Sequence, residues 1–130
     1  MILIVDDDTV LANVFARGVR KAGFEAWVAA TADEGLEKAK IIKPRAIVLD
    51  FRMPLMDGLG FLYRLRAAET DRRTPVVVVT GEPSLSDEVR AQFDQLGAHV
   101  SFKPITPNQL IEAIRLALGE TPSAHQRMVW

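Results

Sequence analysis

The 130-residue sequence contains no cysteine, which excludes a disulfide framework, a thiolate zinc site and a thiol nucleophile. Neither sign of charge is in excess: 16 basic and 17 acidic side chains leave a formal net charge of -1. A general affinity for nucleic acid or for an anionic membrane surface is therefore not expected. No apolar run reaches the length that spans a bilayer, and the opening MILIVDDD places no basic leader before a long apolar segment. The expectation is a cytoplasmic protein with neither nucleic acid nor membrane as partner. Internal repeats and low-complexity segments are also lacking. What is present is an ordinary globular balance, 48% hydrophobic and 25% charged, at a length that suits one domain with one core.

The chain organises itself around the stretch from Ala46 to Gly60, AIVLDFRMPLMDGLG. An apolar run ends there at a carboxylate, Asp50, and a buried, unpaired carboxylate either costs several kcal/mol or takes up a proton. Similar runs precede and follow it. Ile2 to Val5 reads as a buried strand ending in Asp6, Asp7 and Asp8. Leu11, Val14, Phe15, Val19 and Ala22 then fall on one helical face, with Asp8 as N-cap and Gly23 as the stop. Phe24 to Ala30 suits a second strand. Thr31-x-x-Glu34 has capping-box spacing and opens a helix to about Ile42. Asp57 can cap a third helix with Leu59, Leu62 and Leu65 facing inward. The polar stretch Glu69 to Thr74 reads as a loop before the valine run Val76 to Val79, which ends at Thr80. A helix carrying Leu85, Val89, Phe93 and Leu96 stops at Gly97. His99 to Phe102 makes a fifth strand closed by Lys103-Pro104, and Thr106, Pro107 and Gln109 fit as N-cap, first residue and third residue of a last helix.

Strand and helix thus alternate five times, which argues for an α/β fold: a parallel five-stranded sheet with helices on both faces. Ligands of such sheets bind beyond the carboxyl ends of the strands, where the strand order reverses. If the order is 2-1-3-4-5, the acidic ends of the first and third strands meet at that crevice. The first strand delivers Asp6, Asp7 and Asp8, the third Asp50, the fourth Thr80 and the fifth Lys103. Several close carboxylates repel, and a single ammonium does not neutralise them. A hard divalent cation does, and magnesium in particular takes oxygen ligands together with phosphate oxygens. Acids, a cation, a hydroxyl and an ammonium suit phosphoryl chemistry, with a carboxylate as the attacking group.

Each residue also has a plain structural reading. Asp8 suits a helix cap better than a ligand, Thr80 suits a strand end, Lys103 and Asp7 suit the surface, and Asp57-Gly58 suits a turn or cap. Their convergence on one edge of the sheet is what those readings leave unexplained.

With these pieces in place, the sequence resembles the receiver domain of two-component response regulators. ILIVDDD, LDFRMPLMDG, VVVVTG and KP occur in the right order and spacing over residues 1 to about 118. The resemblance implies a flavodoxin-like (βα)5 fold, a receiver domain over residues 1–119 and a tail over 120–130. It implies that Asp50 is the phosphoacceptor, supplied by a histidine kinase or a histidine phosphotransfer protein. Asp7 would bind Mg2+ directly, Asp6 mainly through water, and Asp50 and the backbone carbonyl of Arg52 would complete the protein ligands. Thr80 would reorient to bond the phosphoryl group and Lys103 would pair with it. A cis bond before Pro104 is implied as well. Such a domain catalyses only its own phosphorylation and dephosphorylation. It would signal through the face of the fourth helix, fifth strand and fifth helix, by docking on a partner protein or by onward phosphorelay, and a homodimer stays open. About twelve residues follow the last helix, too few for a DNA-binding or catalytic domain, so a stand-alone receiver is expected.

The pattern departs from the family at two places. Val100 stands three residues before the lysine, where receivers carry a tyrosine or phenylalanine, and Phe102 would point the other way on a regular strand. Arg52 and Glu82 bear opposite charges at the rim and could pair across the entrance. Two rival readings remain. Asp6-Asp7-Asp8-Thr9-Val10 also fits the D-x-D-x-[TV] pattern of haloacid dehalogenase-like phosphatases, with Asp6 as nucleophile and Asp8 as acid-base partner, although the Asp50 segment then goes unexplained and no acidic pair follows Lys103. The other rival is a receiver-like binding module that has lost phosphorylation.

Overall fold

A computed structural model describes residues 1–70, 73–81 and 85–120. Its order is β1 (Ile2–Val5), α1 (Thr9–Lys21), β2 (Ala26–Ala29), α2 (Ala32–Ile42), β3 (Ala46–Asp50), α3 (Gly58–Ala68), β4 (Val76–Thr80), α4 (Asp87–Gln95), β5 (Ala98–Phe102) and α5 (Pro107–Ala117). The five strands form one parallel sheet in the order β2-β1-β3-β4-β5, as the alternation and the reversal argument require.

The three central strands are buried along their whole length, which is why they read as unbroken apolar runs rather than alternating ones. Their side chains still alternate in direction and so build two half-cores. Leu3, Val5, Ile47, Leu49, Val76 and Val78 pack under α2, α3 and α4 with Phe61, Leu62, Leu65 and Phe93. Ile2, Ile4, Val48, Val77 and Val79 pack under α1 and α5 with Phe15, Val19, Leu110 and Ile114. Each large side chain fully removed from water contributes roughly 1.5–3 kcal/mol, before conformational entropy is charged against it.

Helix starts match the cap signals. Asp8, Thr31, Asp57 and Ser86 each accept a hydrogen bond from a backbone N–H three residues on, at 3.1, 3.1, 2.9 and 3.2 Å. Thr106 and Gln109 form the full reciprocal box, at 2.9 and 3.1 Å. At α2 the box is displaced: the Glu34 carboxylate accepts from the N–H of Ala30 rather than that of Thr31. Gly97, at a φ of +73°, takes the left-handed turn that ends α4.

Several expectations change. β2 is shorter than the run from Phe24 to Ala30, because Phe24 lies before the strand with Arg45 and Arg115 5.5 and 5.3 Å from its ring centre. Leu85 packs on the core from outside α4, and the fully buried residue of the first turn of α3 is Phe61, while Leu59 is half-buried. The bond before Pro104 is cis, as the family resemblance implies. The tail readings beyond Glu120, and Glu82 at the rim, lie outside the described residues.

Candidate functional site

Parallel register sets the site. Val5 lies beside Leu49, Asp50 beside Val79, and Thr80 beside Phe102, so the residues at or just past the carboxyl ends of β1, β3, β4 and β5 emerge together. Asp6, Asp7 and Asp50 each offer a carboxylate oxygen within 4.8 Å of the others. Asp6, Asp50 and Thr80 are buried, at 4%, 7% and 1% exposure, whereas Asp7 is exposed. Lys103 Nζ lies 3.1 Å from Asp50 Oδ1. The Lys103 backbone N–H also donates to the Thr80 carbonyl at 2.8 Å, which fixes the lysine's starting point against the end of β4.

The electrostatics follow from that burial. Desolvation pushes the Asp6 carboxyl up to about 6, against the hydrogen bond it accepts from the Asp8 N–H and with the nearby Asp50 charge adding to the rise. Asp50 is also raised, first by desolvation; the Lys103 hydrogen bond and charge oppose this, and the charges of Asp7 and Asp8 reinforce it. Lys103 therefore offsets only part of the acidic charge. Three oxygens this close, two of them on carboxyls held above their ordinary range, are a donor set that a hard cation with oxygen ligands would relieve.

The loop after β3 wraps the site, held by contacts that sequence reasoning did not find. The Gly58 N–H donates to the Phe51 carbonyl at 2.8 Å. A Cβ at Gly58 would sit 3.1 Å from Phe51 Cα and 3.4 Å from the Asp50 carbonyl oxygen, so any larger residue would have to ease the start of α3 slightly away from the backbone beside Asp50. The Asp57-Gly58 pair gave a cap signal but no sign of this close approach. Phe51 meets Phe93 of α4 edge to face at 5.8 Å, tying the residue after Asp50 to the fourth helix. Between these anchors the loop projects outward at Leu55, fully exposed and at a φ of +71°.

Asp8 serves as the α1 cap, with its Oδ1 on the Leu11 N–H, which is the plain reading of that residue and not the acid-base role. Lys103 is paired with Asp50 in the absence of any phosphoryl group. Arg52 is exposed at the loop's start. Val100 is half-buried against the α2–α3–α4 side of the core. Phe102 does not point the other way: residues two apart share a strand face, and its ring, 39% exposed, lies 5.5 Å from the Arg90 guanidinium of α4.

A family model described as "Response regulator receiver domain" matches residues 2–115. The transcriptional regulatory protein PrrA of Mycobacterium tuberculosis is 34% identical over 117 residues, covering 90% of this chain and 49% of PrrA. The chain thus spans about half the length of that relative, and the transcriptional role belongs to the longer protein. Among solved structures, a CheY-like receiver domain protein from Methanospirillum hungatei superposes with a TM-score of 0.81 at 31% identity, over 91% of this chain and 92% of that one. Vibrio cholerae chemotaxis protein CheY4 gives 0.80 at 27% identity, over 89% and 96%. Among the described residues, no helix is long and apolar enough to cross a membrane.

Proposed function

The chain belongs to the response regulator receiver domain family, and from that membership we propose that Asp50 is its phosphoacceptor, supplied by the phosphohistidine of a histidine kinase or histidine phosphotransfer protein. The observation that carries this reading is the buried Asp50 carboxylate at a strand end, 3.1 Å from Lys103 and within 4.8 Å of Asp6 and Asp7. A family receiver is a phosphoacceptor signalling module that exchanges phosphoryl groups with a kinase or phosphotransfer partner, not an enzyme acting on a separate substrate.

In the proposed transfer an Asp50 oxygen attacks phosphorus, the P–N bond to the donor imidazole breaks, and the imidazole nitrogen keeps the electron pair. An acyl phosphate results on Asp50. Lys103 exchanges part of its contact with the carboxylate for one with a phosphoryl oxygen, and the Thr80 hydroxyl donates to another. Asp7, Asp50 and the Arg52 carbonyl would hold Mg2+, with Asp6 contributing through water; the ion would supply positive charge against the negative charge on the phosphoryl oxygens. Hydrolysis later breaks the O–P bond as water attacks phosphorus, releasing phosphate and restoring the carboxylate. The signal would leave through the surface of α4, β5 and α5 to a protein partner or an onward relay. We take residues 1–119 as the receiver and 120–130 as the segment that follows it.

Incubation with acetyl phosphate and MgCl2, followed by mass mapping of the labelled peptide, tests the reading. Label on Asp50 that disappears with chelator is expected. Label on Asp6 would move the protein toward the dehalogenase-like phosphatases, and a folded but unlabelled chain would favour a module that binds without phosphorylation.

A further inference from the structure

Away from Asp50, at the opposite edge of the sheet, the C-terminal halves of α2 and α3 do not close on one another. A cleft of about 370 Å³ lies between them, within the size range of small-molecule sites. Its apolar lining comes from Leu36 and Ala39 of α2 and Leu65 and Ala68 of α3. The alanines are the reason for the space, since larger side chains at those positions would fill it. Lys40 and Arg64 also line it, one from each helix, and among the described residues neither has a hydrogen-bond or ion-pair partner.

The charge balance favours an anion. Two carboxylates line the same cleft, Glu37 and Glu69, but Glu69 is already engaged by Arg66 at 2.6 Å and by the N–H and hydroxyl of Thr74. Lys43 also lines the cleft, at a φ of +52° where a helix C-cap normally favours glycine, but the balance rests on Lys40 and Arg64. Cations near helix C-termini are expected from the macrodipole alone. The macrodipole does not account for cations from two helices lining one apolar cleft. The negative end of each helix works against an anion here, but less so at Lys40 and Arg64, whose side chains lean back toward the N-terminus, away from the last carbonyls.

We propose that this cleft binds a small amphipathic carboxylate, with its apolar body against Ala39, Leu65 and Ala68 and its carboxylate between Lys40 and Arg64. The site is independent of the phosphoacceptor reading, so an Asp50→Asn chain binds the same ligand equally well.

The test is a titration of the full chain with 2-naphthoate and, separately, with uncharged 2-naphthalenemethanol, followed by backbone amide NMR. The expected result is saturable shifts centred on Ala39, Leu65 and Ala68, with naphthoate binding about tenfold more tightly than the alcohol. The pair of substitutions Lys40→Gln and Arg64→Gln removes that preference without removing the cleft. Ala68→Phe, at an exposed position, fills the cleft and abolishes binding of both probes while phosphorylation of Asp50 by acetyl phosphate is unchanged. No saturable shift, shifts centred elsewhere, or equal affinity for the charged and uncharged probes overturns the proposal. Should Ala68→Phe fail to fold, the charge-removal pair decides on its own.

Discussion

At the carboxyl edge of the sheet, Asp6 and Asp50 are buried with their carboxyls raised above the ordinary range. At the amino edge, Glu69 is half-buried at the end of α3 and behaves in the opposite way. Burial alone would raise it too, but hydrogen bonds from Thr74 and Arg66 outweigh desolvation and hold it below its ordinary value. Arg66 donates at the same time to the carbonyls of Leu96 and Thr74, both at 2.8 Å, so one guanidinium joins α3, the end of α4 and the lead into β4. The two edges therefore answer the same desolvation problem differently. Where the structure supplies the compensating groups, the carboxylate is part of the scaffold. Where compensation is left incomplete, three carboxylates stand close enough together that a hard cation would relieve them.

Breaking the functional edge gives the largest effect expected. Asp50→Asn removes the proposed nucleophile while keeping size, so phosphoryl incorporation from acetyl phosphate falls to background in the mass assay and the fold is retained. Breaking the scaffold edge does the reverse. Arg66→Met leaves the half-buried Glu69 with Thr74 but without its cationic partner, and urea unfolding should register a loss of about 3 kcal/mol. The folded fraction of that variant still takes up phosphate on Asp50.

The pH dependence sharpens the contrast because the signs oppose. Asp6 has a folded pKa of about 6 against an ordinary value of 3.8, so the folded state binds the extra proton and stability falls as pH rises between those values. Glu69 is lowered, so its stabilisation is present above its ordinary 4.5 and is lost as pH falls through its folded value. In metal-free buffer the urea midpoint should decline toward pH 6 on account of the acidic edge. Saturating MgCl2 should flatten that decline and leave the acid-side loss from Glu69 in place. A decline unchanged by magnesium would break the assignment of the cluster as a cation site.

The smallest effect concerns the contact between the edges' shared neighbour, α4, and the end of β5. Phe102→Ala removes the ring beside Arg90, which at an exposed site contributes about 0.5–1 kcal/mol to stability. Because Phe102 immediately precedes Lys103, the same variant should alter the spectral response of α4 amides to beryllofluoride more than Val100→Ala does. An equal response in both variants would place the connection elsewhere.

Much of this was readable in the chain. The runs Ile2 to Val5, Ala46 to Leu49 and Val76 to Val79 have no plausible state but buried strands, and each helix start carries a side-chain acceptor where its unpaired N–H groups need one. Asp6, Asp50, Thr80 and Lys103 were legible because a polar residue ending an apolar strand sits at a known edge of a parallel sheet. Phe102 was misread through strand parity, and Phe24 through composition, since an aromatic residue suits a strand as well as it suits the arginines that flank it here. The stretch Glu69 to Thr74 read as a solvated polar loop because the spacing of Arg66 and Glu69 shows a helix-surface pair and nothing of Thr74 closing over it.

The sequence by itself determined the alternation of elements, the two-sided burial of the sheet and the identity of the residues at its carboxyl edge, because these depend on local periodicity and on which residue ends each run. Only the tertiary structure decided which carboxylates are compensated. That depends on distances between residues far apart in the chain: 3.1 Å from Lys103 to Asp50, the aspartates gathered within 4.8 Å, and a Gly58 pressed onto the backbone of Phe51. Electrostatic energy varies with those separations and with burial, and neither is set until the strands are in register.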